Sequence, residues 1–367
     1  MKLAIFGAQG IAIGTCHALR KLYPDQGISC FLVSRPEENP TVLCGLPVNE
    51  LKIWAESMTV QEKQNTEIWI AIPENVQEEV EKLLHMQGFE CCRRITSEVY
   101  AGLMELYYAR QGIFLPLSVL PAGKQRVAAE VYVAKHEKDK PLRHGEQLPD
   151  EFVPIQVGAE GAKRKIADIQ DNEGRNISCK NGNYCELTAL YWIWKNRLEL
   201  TGGENREESK GQPTYVGLAH YRRFLMLSRV DWMRLAENNV DVILPYPMIY
   251  EPDIHDHHRR YLKEVDWQAM LLALREIHPE DAEKCGEILS KQFFYNYNLV
   301  LAKREVLRRY CEWLFPVLER VEELSVPEGL ERNDRYLGYM GETLETLYFM
   351  VNADRFHIAH SGCRMLV

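Results

Sequence analysis

The chain predicts an α/β protein in two domains, and three observations carry that prediction. Apolar strand-like runs alternate with helical segments across residues 2–87, the pattern of parallel βαβ units. A glycine-bearing turn, Gly7-Ala8-Gln9-Gly10, follows the first apolar run directly. At 367 residues the chain exceeds the ~250–300 at which single hydrophobic cores stop growing.

The elements follow in order. Residues 2–6 (KLAIF) read as a buried strand, 11–22 as a helix, 29–34 (SCFLVS) as a second strand and 67–72 (EIWIAI) as a third. Pro73 opens a helix to about residue 87. Together these make an N-terminal Rossmann-like domain over residues 1–120. Two prolines and two glycines in 110–125 mark a connection, and a new domain over 126–367 opens with the strand 127–135. Residues 136–153 and 201–213 read as loops, the second rich in Gly, Glu and Ser. Leu187, Leu190, Tyr191 and Trp194 recur at helical spacing and predict a helix over 186–196. Strands are expected at 240–244 and 298–302, with helices over 268–277, 305–323 and 341–351. Gly338 and Gly341 argue against an unbroken helix from Arg335 to Glu342. Trp192, Trp194, Trp232, Trp267 and Trp313 read as core or rim aromatics.

Composition excludes several classes. A net charge of -9 argues against a general nucleic-acid binder. No apolar stretch reaches the ~20 residues of a membrane span, and glycines interrupt the first apolar run as a βα turn would, not as a signal peptide. Ten cysteines without a CxxC pair fit free thiols in a reducing cytoplasm. The expected location is cytoplasmic, with at most peripheral membrane association.

Gly7, Gln9 and Gly10 form a candidate nucleotide loop, since glycines let backbone N–H groups approach a diphosphate at a helix N-terminus. The spacing is not G-x-G-x-x-G, however, and the second strand ends Val33-Ser34-Arg35 without an acidic residue for a ribose. The expectation is therefore a domain that does not use NAD(P). Asp171, Asn172, Asn176, Ser178, Lys180, Asn181 and Tyr184 make a dense polar run before the helix. Some would be turn and cap residues, but the run also offers partners for the hydroxyls, base and diphosphate of a sugar nucleotide. Glu186 either complements the helix dipole or bonds a sugar hydroxyl.

His220-Tyr221-Arg222-Arg223 closes a strand, where α/β enzymes place their chemistry. Guanidinium forks match phosphate oxygens. Strand alternation would put His220 and Arg222 on one face and Tyr221 and Arg223 on the other, unless the strand has already turned. His255-Asp256-His257-His258 reads as a solvated loop, with acceptor contact or a base among His255, Asp256 and His257 as alternatives. One local histidine group rarely completes a zinc site, so no metal is assigned there.

The strings PIQVGA (154–159), DNEGRNISCKNGNYCELTALYWIWKN (171–196), GLAHYRRF (217–224), NLVLAK (298–303) and WLFPVLE (313–319) resemble a family of bacterial capsular and exopolysaccharide glycosyltransferases, long catalogued as a domain of unknown function. The resemblance covers residues 152–352. It implies a GT-A-like catalytic domain that moves a hexosyl group from a nucleoside-diphosphate sugar to a saccharide or lipid-linked saccharide acceptor. On that resemblance the donor contacts are Gln156, Gly158, Asp171, Asn172, Asn176, Ser178, Lys180, Asn181, Tyr184, Glu186 and Tyr221. The catalytic candidates are His220, Arg222, Arg223, Asp256 and Glu342. Many GT-A enzymes hold a divalent metal with Asp-x-Asp, a string absent from this chain. The expectation is an enzyme that requires no cofactor, with manganese or magnesium left open. The rival readings are a nucleotide-sugar oxidoreductase using the N-terminal loop, or a sugar-nucleotide-binding protein without turnover.

Overall fold

The computed structural model describes residues 2–142, 148–199, 214–327 and 332–366, so the expected loop at 201–213 lies outside the described residues. Two main sheets organise them. The first runs, in spatial order, Val42–Leu43, Leu46–Glu50, Ile28–Val33, Lys2–Phe6, Thr66–Ile70 and Cys91–Arg94. All its neighbours are parallel except the Val42–Leu43 and Leu46–Glu50 hairpin. The strand order reverses between Lys2–Phe6 and Thr66–Ile70, the kind of switch point that opens a crevice beyond the strand ends. This is a Rossmann-like sheet, packed on both faces by separate apolar clusters.

The second sheet runs Ile358–Ser361, Val242–Pro245, Val300–Lys303, Tyr215–His220, Ala129–Lys135, Phe152–Gln156 and Ile169–Gln170. Tyr215–His220, Ala129–Lys135 and Phe152–Gln156 are mutually parallel neighbours. Val300–Lys303 lies antiparallel beside Tyr215–His220. Alternation along the central strand is clear: Val216 and Leu218 enter one core, Tyr215 and Ala219 the other. The helix Arg304–Leu324 covers one face, burying Leu307, Tyr310, Cys311, Leu314, Leu318 and Val321 at helical spacing. The five tryptophans noted above are all buried.

Most expected elements appear with ends shifted by a few residues. The 186–196 helix is Leu187–Ile193 continued by a π-helical turn, Trp194–Leu198. The region 113–128 holds no sheet strand, only a short 3-10 turn, Leu117–Val119, and one bridge from Pro116 to His360. One expectation is corrected. Helix Tyr336–Val351 runs unbroken through Gly338 and Gly341. Both glycines face close neighbours: a Cβ on Gly338 would meet Cys185 Sγ at 3.1 Å, and one on Gly341 would meet Leu187 at 2.5 Å. Glycine there permits close helix packing, which outweighs its ~1 kcal/mol propensity cost.

Gly217 sits mid-strand, three residues before His220. A Cβ there would lie 2.6 Å from the Val300 carbonyl oxygen, a backbone atom that cannot swing aside. Gly217→Ala should therefore lower stability by about 1–3 kcal/mol, read as a lower urea midpoint. An unchanged midpoint would mean that the central strand pair has slack the geometry denies.

Candidate active site

The ends of parallel strands from both sheets open onto one cleft of about 1150 Å³. From the first sheet come Ala8–Ile11, beyond Lys2–Phe6, and 71–73, beyond Thr66–Ile70. From the second come 136–139, 157–161 and 220–223, beyond Ala129–Lys135, Phe152–Gln156 and Tyr215–His220. The cleft thus forms where the switch-point rule puts a ligand, with a wall from each sheet.

At its centre the strand Tyr215–His220 turns tightly into Arg223–Leu225, pairing His220 with Arg223. The turn changes the alternation expected from an extended strand: His220, Tyr221, Arg222 and Arg223 all line the cleft. Burial, with the charges of Arg223, Arg222 and Arg335, lowers His220 to about 3. It is neutral at physiological pH and a weak general base. The Arg222 N–H points to His220 Nδ1 at 3.4 Å, which places the ring proton on Nε2. Arg222 Nε is buried with no hydrogen-bond partner. Arg223 lies 4.1 Å above the Tyr297 ring. Tyr297 has φ 78° and Asn298 φ 49°, a left-handed pair that costs about 1–3 kcal/mol per residue and aims the ring at Arg223.

Two carboxyls face these cations. Glu186 accepts 2.7 Å from Asn298 Nδ2, and burial raises its pKa. Glu342 is pushed up to about 8, first by burial and then by Glu186. Arg335 caps its helix with φ 66° and donates to Cys185 Sγ at 3.2 Å. Arg332 anchors the segment just before it through a buried bidentate pair with Asp266, at 2.6 and 2.8 Å. Among the described residues, Arg222, Arg223 and Arg335 form no ion pair with a carboxylate.

The polar run before the 187–193 helix divides. Ser178, Asn181 and Glu186 line the cleft, as does Gly158. Asp171 does not; it is wholly buried and accepts from the Gly158 and Ala159 N–H groups, Ser178 Oγ and Thr188 Oγ1. It holds the cleft wall in shape. Gln156 bonds the Arg164 carbonyl and the Ile166 N–H. Asn176 closes its own turn onto Asn172 and Gly174, so both Asn172 and Asn176 belong to loop structure outside the cleft. Lys180 pairs with Glu322 at 2.6 Å, and Tyr184 bonds the same carboxylate at 3.3 Å. None of these six residues lines the cleft, and five of the six side chains bond within the fold.

Asp256 also stands apart from the cleft. It faces outward, 3.7 Å from Arg259, and does not line the cleft. The expected loop is a helical turn, Ile254–His258, with His257 and His258 buried along the cleft and each lowered to about 3 by burial. His255 instead stacks on Trp267 and approaches Glu264 at 3.4 Å. Gln9 and Gly10 line the cleft, while Gly7 makes the turn itself at φ 126°, where a Cβ would strike the Ala71 carbonyl. Sequence reasoning missed His136, Asp139, Tyr250, Asn296, Tyr297 and Asn333 in the lining. The signal for the first two was present, because 136–139 is a polar run straight after a strand.

WbbM, a bifunctional glycosyltransferase solved in its apo form, is similar to this chain at 22% identity with a TM-score of 0.54. The likeness covers 65% of this chain and 45% of WbbM, so the chain spans less than half of that protein's length. At that identity the likeness shows the fold alone, an α/β architecture. Core-mannan synthase A from Aspergillus fumigatus, solved with manganese and GDP, aligns at 9% identity over 98% of this chain and 72% of its own. Its TM-score of 0.20 carries no inference. No curated protein matches. Residues 130–353, more than half the chain, match the family described as a domain of unknown function, DUF4422, and the chain belongs to that family.

Proposed function

We propose that the protein is a glycosyltransferase moving a hexosyl group from a nucleoside-diphosphate sugar to a saccharide or lipid-linked saccharide acceptor. On this reading it serves capsule or exopolysaccharide assembly in the cytoplasm, at most peripherally on the membrane. Among the described residues no helix is long and apolar enough to cross a membrane. Residues 126–367 would be the catalytic domain, and residues 1–120 an accessory one that supplies a cleft wall. The observation that carries the reading is the set of unpaired guanidinium groups beside two desolvated carboxyls in one cleft.

The chemistry follows from those groups. The bond between the sugar C1 and the diphosphate oxygen breaks, and a bond from the acceptor hydroxyl oxygen to C1 forms. The acceptor proton passes to the Glu342 carboxylate, whose pKa near 8 suits a general base close to neutral pH. The departing diphosphate takes the bonding electrons, and Arg222, whose Nε is already desolvated, receives that charge. Arg223 and Arg335 add to the field, and Ser178, Asn181, Glu186 and Tyr221 offer polar contacts to the donor. The arginines do what a divalent ion does in Asp-x-Asp enzymes. Against an oxidoreductase stand the spacing of the glycine turn, which is not G-x-G-x-x-G, and the absence of an acidic residue at Val33-Ser34-Arg35.

The test is a thermal-shift screen of UDP-, GDP-, CMP- and dTDP-sugars, with donor hydrolysis measured on any that binds. EDTA should leave turnover largely intact. Arg222→Ala should cut kcat by about 10²–10³-fold, and Arg222→Lys should fail too, lacking the planar fork. Strict manganese dependence, or full activity in Arg222→Lys, would refute the assigned role.

Glu342 gives a pH signature. Between its ordinary 4.5 and about 8 the folded chain keeps a proton that the unfolded chain has lost. The native state then binds more protons, so this group's contribution is intact below 4.5, falls as pH rises and levels off above about 8. Glu342→Gln should gain stability relative to the parent across that window, while turnover loses its rise toward pH 8. A constant stability difference from pH 5 to 8.5 would show that Glu342 titrates normally.

A further inference from the structure

A second cluster of ligating groups lies outside the cleft. His17, Cys44 and Glu251 each offer one donor atom, and the three atoms lie within 4.8 Å of one another. They come from three distant parts of the chain: helix Gly10–Leu22, the hairpin between Val42–Leu43 and Leu46–Glu50, and the segment after strand Met248–Ile249. His17 Nε2 stands 3.4 Å from one Glu251 oxygen, and the Cys44 N–H donates to the other at 2.8 Å. One imidazole, one carboxylate and one thiol make a donor set typical of zinc sites.

We propose that this cluster binds a divalent zinc-like ion through His17 Nε2, Cys44 Sγ and Glu251. Tetrahedral zinc places its ligand atoms roughly 3–4 Å apart, given bonds of ~2.0–2.3 Å, so the cluster needs only small side-chain rotations to close. Binding takes the proton from the Cys44 thiol to solvent, and a 2+ ion balances the resulting thiolate and carboxylate. The backbone favours such closure. Arg20 Nη1 donates to the Cys44 carbonyl at 2.7 Å, and with the Glu251 contact to its N–H this fixes Cys44 on both sides.

The site also has a consequence for the cleft. Helix Gly10–Leu22 carries His17 and begins with Gly10 and Ile11 in the cleft wall. Glu251 directly follows Tyr250, which lines the cleft and crowds Gly10. A bound ion would lock the wall from the first sheet against the 248–251 segment. Its role is structural: it sets the width of the cleft without touching a substrate.

The experiment uses the full chain, reduced, with cobalt(II) as a spectroscopic stand-in for zinc. One equivalent of cobalt should give a thiolate-to-metal charge-transfer band that zinc then bleaches, and zinc should raise the melting temperature. Cys44→Ser should abolish the band, and His17→Gln should weaken binding by about tenfold or more. Cys179→Ser, at an exposed cysteine elsewhere, should change neither. If Cys44→Ser folds poorly, Glu251→Gln serves as the second test. Its amide oxygen can still accept the Cys44 N–H, so its fold should hold while metal binding weakens. A folded parent protein with no charge-transfer band, or a band that survives Cys44→Ser, would overturn the site. Neither outcome bears on the transferase reading, since none of these ligands lines the cleft.

Discussion

The cleft is built around an electrostatic conflict. Arg222, Arg223 and Arg335 converge without a carboxylate partner, while Glu186 and Glu342 sit desolvated nearby. Like charges ~4 Å apart repel by several kcal/mol where the effective dielectric is near 20. The fold tolerates this in three ways. His220 gives up its proton, lowered to about 3 by burial and the arginines. Glu342 keeps its proton to about 8. Arg223 rests on the π face of Tyr297 instead of on a carboxylate.

Holding such a site open requires rigid walls, and much of the buried polar chemistry serves that end. Asp171 gathers two backbone N–H groups and two hydroxyls, tying the 157–161 turn to the 178–188 region. Hydrogen bonds to a charged group are worth ~1.5–3 kcal/mol each, so this one carboxylate matters to the whole wall. Arg332 and Asp266 hold the segment leading into Arg335. Breaking such a buried pair costs about 3–5 kcal/mol, because the remaining charge is left stranded. Gly338 and Gly341 bring the last helix close enough for Glu342 to reach Glu186, and Asn298 donates both to Glu186 and to the Gly338 carbonyl.

These particulars explain what was legible in the sequence. Strand and helix runs were readable because apolar periodicity reports burial directly, as along 2–6, 187–194 and 305–323. The HYRR string was readable because its residues sit at the end of such a run. Its geometry was not. Alternation predicts opposite faces for Arg222 and Arg223, but the strand turns after His220, and that turn depends on pairing with the following residues. The polar run misled for a related reason. A side chain that binds a ligand and one that satisfies a buried loop have the same composition, and only the partners of Asp171, Lys180 and Tyr184 tell them apart. Tyr297 carried no signal, since its role rests on a left-handed backbone that a bulky residue rarely adopts.

The balance of charge in the cleft also resolves an apparent mismatch between the chain and its proposed ligand. A protein of net charge -9 is a poor general partner for a diphosphate. The cleft lining nevertheless holds five cationic side chains (Lys138, Arg222, Arg223, Arg260 and Arg335) against five carboxyls (Glu137, Asp139, Glu160, Glu186 and Glu342). Full ionisation would make it neutral. Burial raises Asp139, Glu186 and Glu342, which favours the uncharged carboxyl and leans the cleft toward positive potential. Low-dielectric walls focus that potential where the arginines point.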